Sequence, residues 1–155
     1  RAEHTMLVEL GQDEIRRVST KGSVSVKESF KVERFSHVMH IVSTVEGELD
    51  PVYDSLDALK ALFPAGTLTG SPKQKAMEIL QECEPTPRGP YGGALGIYRW
   101  NGDLDFCITI RTLIIKEEEV SVQSGAGIVE DSIPEKEYQE TLHKAQALFR
   151  AIADL

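Results

Sequence analysis

The sequence predicts an α+β fold in which helices pack on antiparallel sheet, and three observations point there. Residues 91–129 alternate apolar and polar side chains around Asn101 followed by Gly102, a strong short-range hairpin signal. Residues 23–45 hold two further runs of strand formers. From Ser132 onward, apolar side chains recur at helical spacing. Strands and helices interleave, but hairpins dominate, which favours helices laid on antiparallel sheet over a parallel α/β design.

In chain order, residues 5–10 are apolar enough for a strand, and residues 11–17 are polar enough for a turn or short helix. Residues 23–35 place Val24 and Val26, then after a break Phe30, Val32 and Phe35, on a strand pattern. Residues 37–45 form an apolar strand ended by Gly47. Asp50 can cap a helix with Pro51 at its first position, carrying Leu56, Leu59 and Leu62 and closed by Pro64. A glycine-bounded loop leads into another helix, capped by Ser71 and ending near Cys83. A proline-rich stretch follows, and residues 91–129 then read as an antiparallel meander with a second turn at 117–119. In its middle strand Leu104, Phe106, Ile108 and Ile110 face one way, and Asp105, Cys107, Thr109 and Arg111 the other. Gly125 and Gly127 interrupt the third strand. Ser132 and Pro134 open a long helix through Ile152.

The 155 residues predict one domain with a sizeable core, and the 41% hydrophobic and 27% charged content is ordinary for a soluble globular chain. A net charge of −8 argues against nucleic acid as a partner. No apolar run approaches the ~20 residues that span a bilayer, and no signal peptide is visible. Cys83 and Cys107 lack metal-ligand spacing, so a reduced, cytoplasmic setting is expected.

The loop from Pro64 to Met77, P-A-G-T-L-T-G-S-P-K-Q-K-A-M, concentrates chemistry. Gly66 and Gly70 permit close approach of a second molecule to the backbone. Thr67 and Thr69 add hydroxyls, Lys73 adds a cation, and the helix start directs N–H groups forward. This is either a cradle for a small carboxylate or a plain loop before a capped helix. Glu137, Glu140 and Lys144 share a face of the last helix. Two carboxylates one turn apart suit a hard cation such as Mg²⁺, or else they form a solvated face with a Glu140–Lys144 pair. Arg111 either pairs with Asp105 or grips a carboxylate in bidentate fashion. Gly125 and Gly127 either present amides to an anion or make a bulge. His40 lies between Val38 and Val42 on one strand face, as a core histidine or an acid–base group, with His37 and His4 as alternatives.

Five blocks in order then show a family likeness. They are A-E-H from Ala2, V-E-R-F-S-H-V-M-H-I-V-S from Val32, P-A-G-T-L-T-G-S-P-K from Pro64, and R-G-P-Y-G-G-A-L-G from Arg88. The last is C-I-T-I-R-T through Arg111, with S-G-A-G-I-V-E-D-S-I-P-E-K-E-Y-Q-E-T-L-H-K-A. Together they resemble the chorismate-utilising enzymes, and within them the synthase subunits that make anthranilate. The resemblance implies the two-layered sandwich of chorismate-binding enzymes, with residues 1–155 forming a C-terminal part of the catalytic domain, and hence a fragment.

It also implies roles. His40 matches the histidine beside the chorismate ring that assists loss of the hydroxyl, and Thr67 a threonine lining the pocket. Tyr91 and Arg111 match residues holding the enolpyruvyl carboxylate. Gly125 and Gly127 match glycines whose N–H groups meet a substrate carboxylate. Glu3, Glu137 and Glu140 match the acids around Mg²⁺, and Lys144 the lysine that follows them. The activity implied is Mg²⁺-dependent conversion of chorismate to anthranilate and pyruvate, as in tryptophan biosynthesis. A glutamine amidotransferase partner supplies ammonia in a hetero-oligomer. The rivals are aminodeoxychorismate synthase and, from another class, a carboxylate-binding or subunit-docking module without catalysis. One departure is visible. Where the family has D-L-x-R-N-D after A-E-H, this chain has Glu9, Leu10, Gly11, Gln12, Asp13 and Glu14.

Overall fold

In the computed structural model, residues 2–34 and 39–153 are described, without the side chains of Ala2 and Glu3. The first element is a helix, α1 (Ala2–Arg16), where residues 5–10 taken alone had suggested a strand. Leu7, Leu10 and Glu14 recur every three or four positions and line its covered side, with buried Val18 continuing the row just past its end, while Glu9, Asp13 and Arg16 face water. The apolar run is one stripe of a longer helix, and the polar residues 11–16 complete its turns.

Strands β1 (Ser25–Arg34) and β2 (Met39–Glu46) pair antiparallel, from Ser25 opposite Glu46 to Arg34 opposite Met39. The break in the β1 pattern is a pair of register shifts, between Val26 and Glu28 and between Glu28 and Lys31, with Phe30 at φ 56°. The Phe30 amide donates to Ser43 Oγ at 3.1 Å. The same hydroxyl hydrogen-bonds His4 Nε2 at 2.7 Å, and the Phe30 ring lies 5.0 Å from the His4 ring. The irregularity thus aims an aromatic at α1, as bulges commonly re-aim a side chain.

Helix α2 (Ser55–Leu62) starts four residues later than the Asp50 reading. Asp50 instead closes a turn, accepting from Val52 N through its side chain and from Tyr53 N through its carbonyl. The cap is Asp54, whose carboxylate accepts from Asp57 N at 2.9 Å while Asp57 accepts from Asp54 N at 3.2 Å. This reciprocal box satisfies two otherwise unpaired donors.

A short α3 (Gly66–Thr69) precedes α4 (Lys73–Cys83). The N-cap position of α4 is Pro72, extended at ψ 134°, with no side-chain cap bond. Ser71 therefore lies one residue too early to cap. Gly66 does not face an open approach either, because a Cβ there would meet Leu10 Cδ2 of α1 and Glu14 Oε1 at 3.0 Å.

Strands β3 (Ala94–Tyr98) and β4 (Leu104–Ile108) form the hairpin expected at Asn101 and Gly102, with Arg99 N donating to the Asp103 carbonyl at 2.8 Å. Strands β5 (Leu113–Lys116) and β6 (Glu119–Val122) form a second hairpin, with Glu117 at φ 56° in its turn. The described strands thus make three two-stranded sheets and no continuous meander. The alternation of β4 holds through Ile108, after which the backbone leaves the ladder and turns at Arg111, φ 51°. Arg111 is consequently exposed on a bend and not mid-strand, and Gly125 and Gly127 follow β6 in irregular chain. Helix α5 (Pro134–Ala153) runs as expected.

The α+β class holds. The chain divides into two compact units, Arg1–Gly66 with Gly96–Asp105, and Thr67–Leu95 with Phe106–Leu155. The expected large core is thin. Among the described residues the buried apolar ones are Val18, Ala65 and Ala145, whereas Leu95, Ile97, Tyr98 and Trp100 stand exposed. Strand and helix faces that the pattern marks as apolar are not covered within these residues. None of the described helices is long and apolar enough to cross a membrane.

Candidate functional site

The second unit gathers most of the residues singled out in the sequence. Its organising element is the turn at 88–93, where Tyr91 N donates to the Arg88 carbonyl and Gly93 N to the Pro90 carbonyl. Gly92 sits at φ 77°, a conformation glycine adopts freely. Its amide donates to the Thr109 carbonyl at 2.9 Å, and Thr109 N returns a bond to the Gly93 carbonyl at 2.8 Å. Those two bonds fasten the Tyr91 turn to the segment that leads, two residues on, to Arg111.

Tyr91 is half-buried, and burial pushes its phenol upward in pKa, opposed by the Arg88 charge. Its hydroxyl lies against Gly125, where an added Cβ would stand 2.8 Å from the oxygen. The bare Gly125 backbone is what admits the phenol. On the other side, the Gly125 carbonyl accepts from Lys144 Nζ of α5 at 3.2 Å. Lys144 also pairs with Glu140, one turn earlier, at 2.6 Å. Tyr91, Gly125, Lys144 and Glu140 are therefore linked contact by contact. Glu137 is half-buried one turn before Glu140, and Gly127 is exposed two residues past Gly125.

Thr67 joins this group through its neighbour. Arg88 Nη1 donates to the Leu68 carbonyl at 2.6 Å, and its Nε and Nη2 hold Glu84 at 2.8 and 2.7 Å. The guanidinium carbon lies 5.7 Å from the Tyr91 ring centroid, within cation–π range. The Arg88 hydrogen bond holds the Glu84 carboxyl below its ordinary pKa, and Glu84 in turn raises Arg88. Sequence reading missed Arg88 and Glu84 as a unit. Their i, i+4 spacing was the available signal, but the proline-rich stretch around them reads as a helix end.

His40 lies in the first unit, half-buried on β2 and opposite Glu33 in the ladder. The Glu3 side chain, His37 and Val38 lie outside the described residues. Among the described residues no group of three or more His, Cys, Asp or Glu gathers as a metal site. Glu137 and Glu140 nonetheless fit a Mg²⁺ ion by donor type. Mg²⁺ is usually bound through one or two carboxylates, with waters and substrate oxygens completing the shell.

Comparison with known proteins agrees on the lineage. The model of the chorismate binding enzyme family matches residues 1–150. Anthranilate synthase component 1 of Acetivibrio thermocellus is 55% identical over 99% of this chain and 31% of its own length. Anthranilate synthase component I from Streptococcus pneumoniae TIGR4 superposes with a TM-score of 0.89 at 50% identity, over 94% of this chain and 33% of that one. A Bacillus anthracis structure assigned as a 2,3-dihydroxybenzoate-specific isochorismate synthase gives a TM-score of 0.88 at 33% identity, over 98% of this chain and 40% of that one. The chain spans about a third of the length of the curated relatives it matches. With 150 of its residues matched by the family model, the chain belongs to the chorismate binding enzymes.

Proposed function

We propose that residues 1–155 form a C-terminal part of the catalytic domain of a chorismate-converting lyase. The enzyme makes anthranilate and pyruvate with ammonia from a glutamine amidotransferase partner. The observation that supports this reading is the contact chain Tyr91–Gly125–Lys144–Glu140, which joins phenol, loop backbone, ammonium and helix carboxylate in one unit.

Chorismate is a dianion, and this group offers complementary chemistry. Arg111, beside the anchored Tyr91 turn, supplies a planar fork for the enolpyruvyl carboxylate. Tyr91 adds a hydroxyl donor. Gly125 and Gly127 offer amides to the second carboxylate, and Lys144 adds a cation near them. His40 is assigned to the proton transfer that accompanies loss of the ring hydroxyl, and Thr67 to the pocket wall. Glu3, Glu137 and Glu140 would hold Mg²⁺. Such an ion would supply positive charge against the ring carboxylate, which would ease nucleophilic attack on the ring.

The deciding experiment incubates the intact enzyme with chorismate, ammonia and Mg²⁺ and identifies the product by fluorescence and mass. Anthranilate supports the reading. An aminodeoxychorismate or isochorismate product overturns the assigned chemistry, and no turnover favours a docking module. A single substitution tests the carboxylate grip. Arg111→Ala should raise the KM for chorismate by roughly 10- to 150-fold, the loss expected for a charged hydrogen-bonded pair worth about 1.5–3 kcal/mol. Unchanged affinity removes Arg111 from the site.

A further inference from the structure

Arg88 has no role in the scheme above, yet its guanidinium touches three segments of the second unit. Nε and Nη2 are engaged by Glu84, Nη1 by the Leu68 carbonyl, and the guanidinium face by the Tyr91 ring. Three of its five N–H groups and one face are thereby engaged within the protein. What it does hold is three pieces of chain: the end of α4 through Glu84, the α3 turn at the residue between Thr67 and Thr69, and the tyrosine turn. Its side chain and that of Glu84 are 23% and 31% exposed, so water screens the pair less than it screens the surface pairs of α2 and α4.

We infer that Arg88 is a positioning residue that sets the Thr67 turn and Tyr91 at a fixed separation, so that both meet one substrate. This rests on the proposed function, since it gives those two residues a shared ligand. The geometry of the guanidinium is the reason for the choice. A planar group with donors diverging in one plane can bond a carboxylate on one edge and a carbonyl on another while stacking on a ring. An ammonium is a point charge and cannot make all three contacts at once. Reach alone does not substitute for shape here.

The test is Arg88→Lys in the intact enzyme, with Glu84→Gln as the milder companion should the lysine variant fold poorly. Two readouts are taken. The first is hydrogen exchange of the amides at 66–70 and 89–93, compared with α5. The second is the split between KM and kcat for chorismate. The expected result is faster exchange confined to the two turns, with KM raised about tenfold and kcat within about twofold. Tenfold in KM corresponds to about 1.4 kcal/mol of lost binding. Unchanged exchange at the two turns overturns the inference. So does faster exchange with KM unmoved, or acceleration spread equally over α5, which marks a general loss of stability. If the unaltered enzyme does not convert chorismate, the function proposal fails by that result alone. The exchange measurement then still decides whether Arg88 clamps the two turns.

Discussion

Replacing Glu140 by Gln in the intact enzyme is expected to lower Mg²⁺-dependent turnover of chorismate by more than about 100-fold, with thermal stability nearly unchanged. Changes in groups that merely support a metal ligand already cost about 10- to 100-fold, so losing the ligand's charge should exceed that. The stability half of the expectation follows from exposure. The Glu140–Lys144 pair joins side chains that are 50% and 38% exposed, and such pairs contribute about 0–1 kcal/mol. A carboxylate kept only for that pair would leave turnover intact when neutralised. Steady-state rates across a Mg²⁺ titration, with a melting curve of each protein, separate the two outcomes. Undiminished turnover at saturating Mg²⁺ would take Glu140 off the metal.

The second large effect concerns folding. Gly66→Ala should destabilise the first unit by about 1–3 kcal/mol, the usual range for forcing an extra carbon into packed surroundings. The new Cβ would fall on Leu10 Cδ2, and it would stand 2.9 Å from Leu10 Cγ and 3.0 Å from Glu14 Oε1. Leu10 is half-buried and Glu14 buried, so both side chains would have to shift to admit the carbon. The matched control is Gly11→Ala, one residue along α1 from Leu10, where nothing lies within 4 Å of the new carbon. There alanine is favoured by about 1 kcal/mol through helix propensity. Thermal unfolding should thus move in opposite directions for the two variants. A Gly66→Ala protein that melts no lower than wild type would show that the α1 contact yields freely.

Where local signals were strong and short, the sequence read correctly. Asn101 and Gly102 fall in the β3–β4 turn, where Gly102 N donates to the Arg99 carbonyl and Gly102 takes φ 90°, because a three-residue hairpin loop wants glycine at its left-handed position. Helix α5 begins at Pro134, because proline fits the first turn and apolar spacing does the rest. Where the deciding contact lay far along the chain, the reading failed. Residues 5–10 looked like a strand because the stripe of α1 becomes visible only with Glu14 and Val18 included. Alternation carried β4 on to Arg111 in the sequence, whereas Ile110 N donates to the Ile108 carbonyl in a tight turn and the backbone goes left-handed at Arg111. The candidate site divides the same way. Glu137, Glu140 and Lys144 share a helix and were legible from spacing. Tyr91 beside Gly125, and Arg88 on the Leu68 carbonyl, are meetings across loops that no periodicity encodes. Only the family likeness singled out Tyr91 for a role, and Arg88 entered as the first residue of a family block with none.

The left-handed backbone at Arg111, φ 51°, has a cost in sturdiness that the proposed grip would have to justify. An L-residue held in that region gives up roughly 1 kcal/mol or more that glycine does not. Arg111→Gly should consequently melt at or above the temperature of Arg111→Ala, while binding chorismate no better. A backbone that would rest more easily without a side chain carries the longest cationic one available, and calorimetry on wild type beside the two variants would weigh the ease lost against the proposed carboxylate grip.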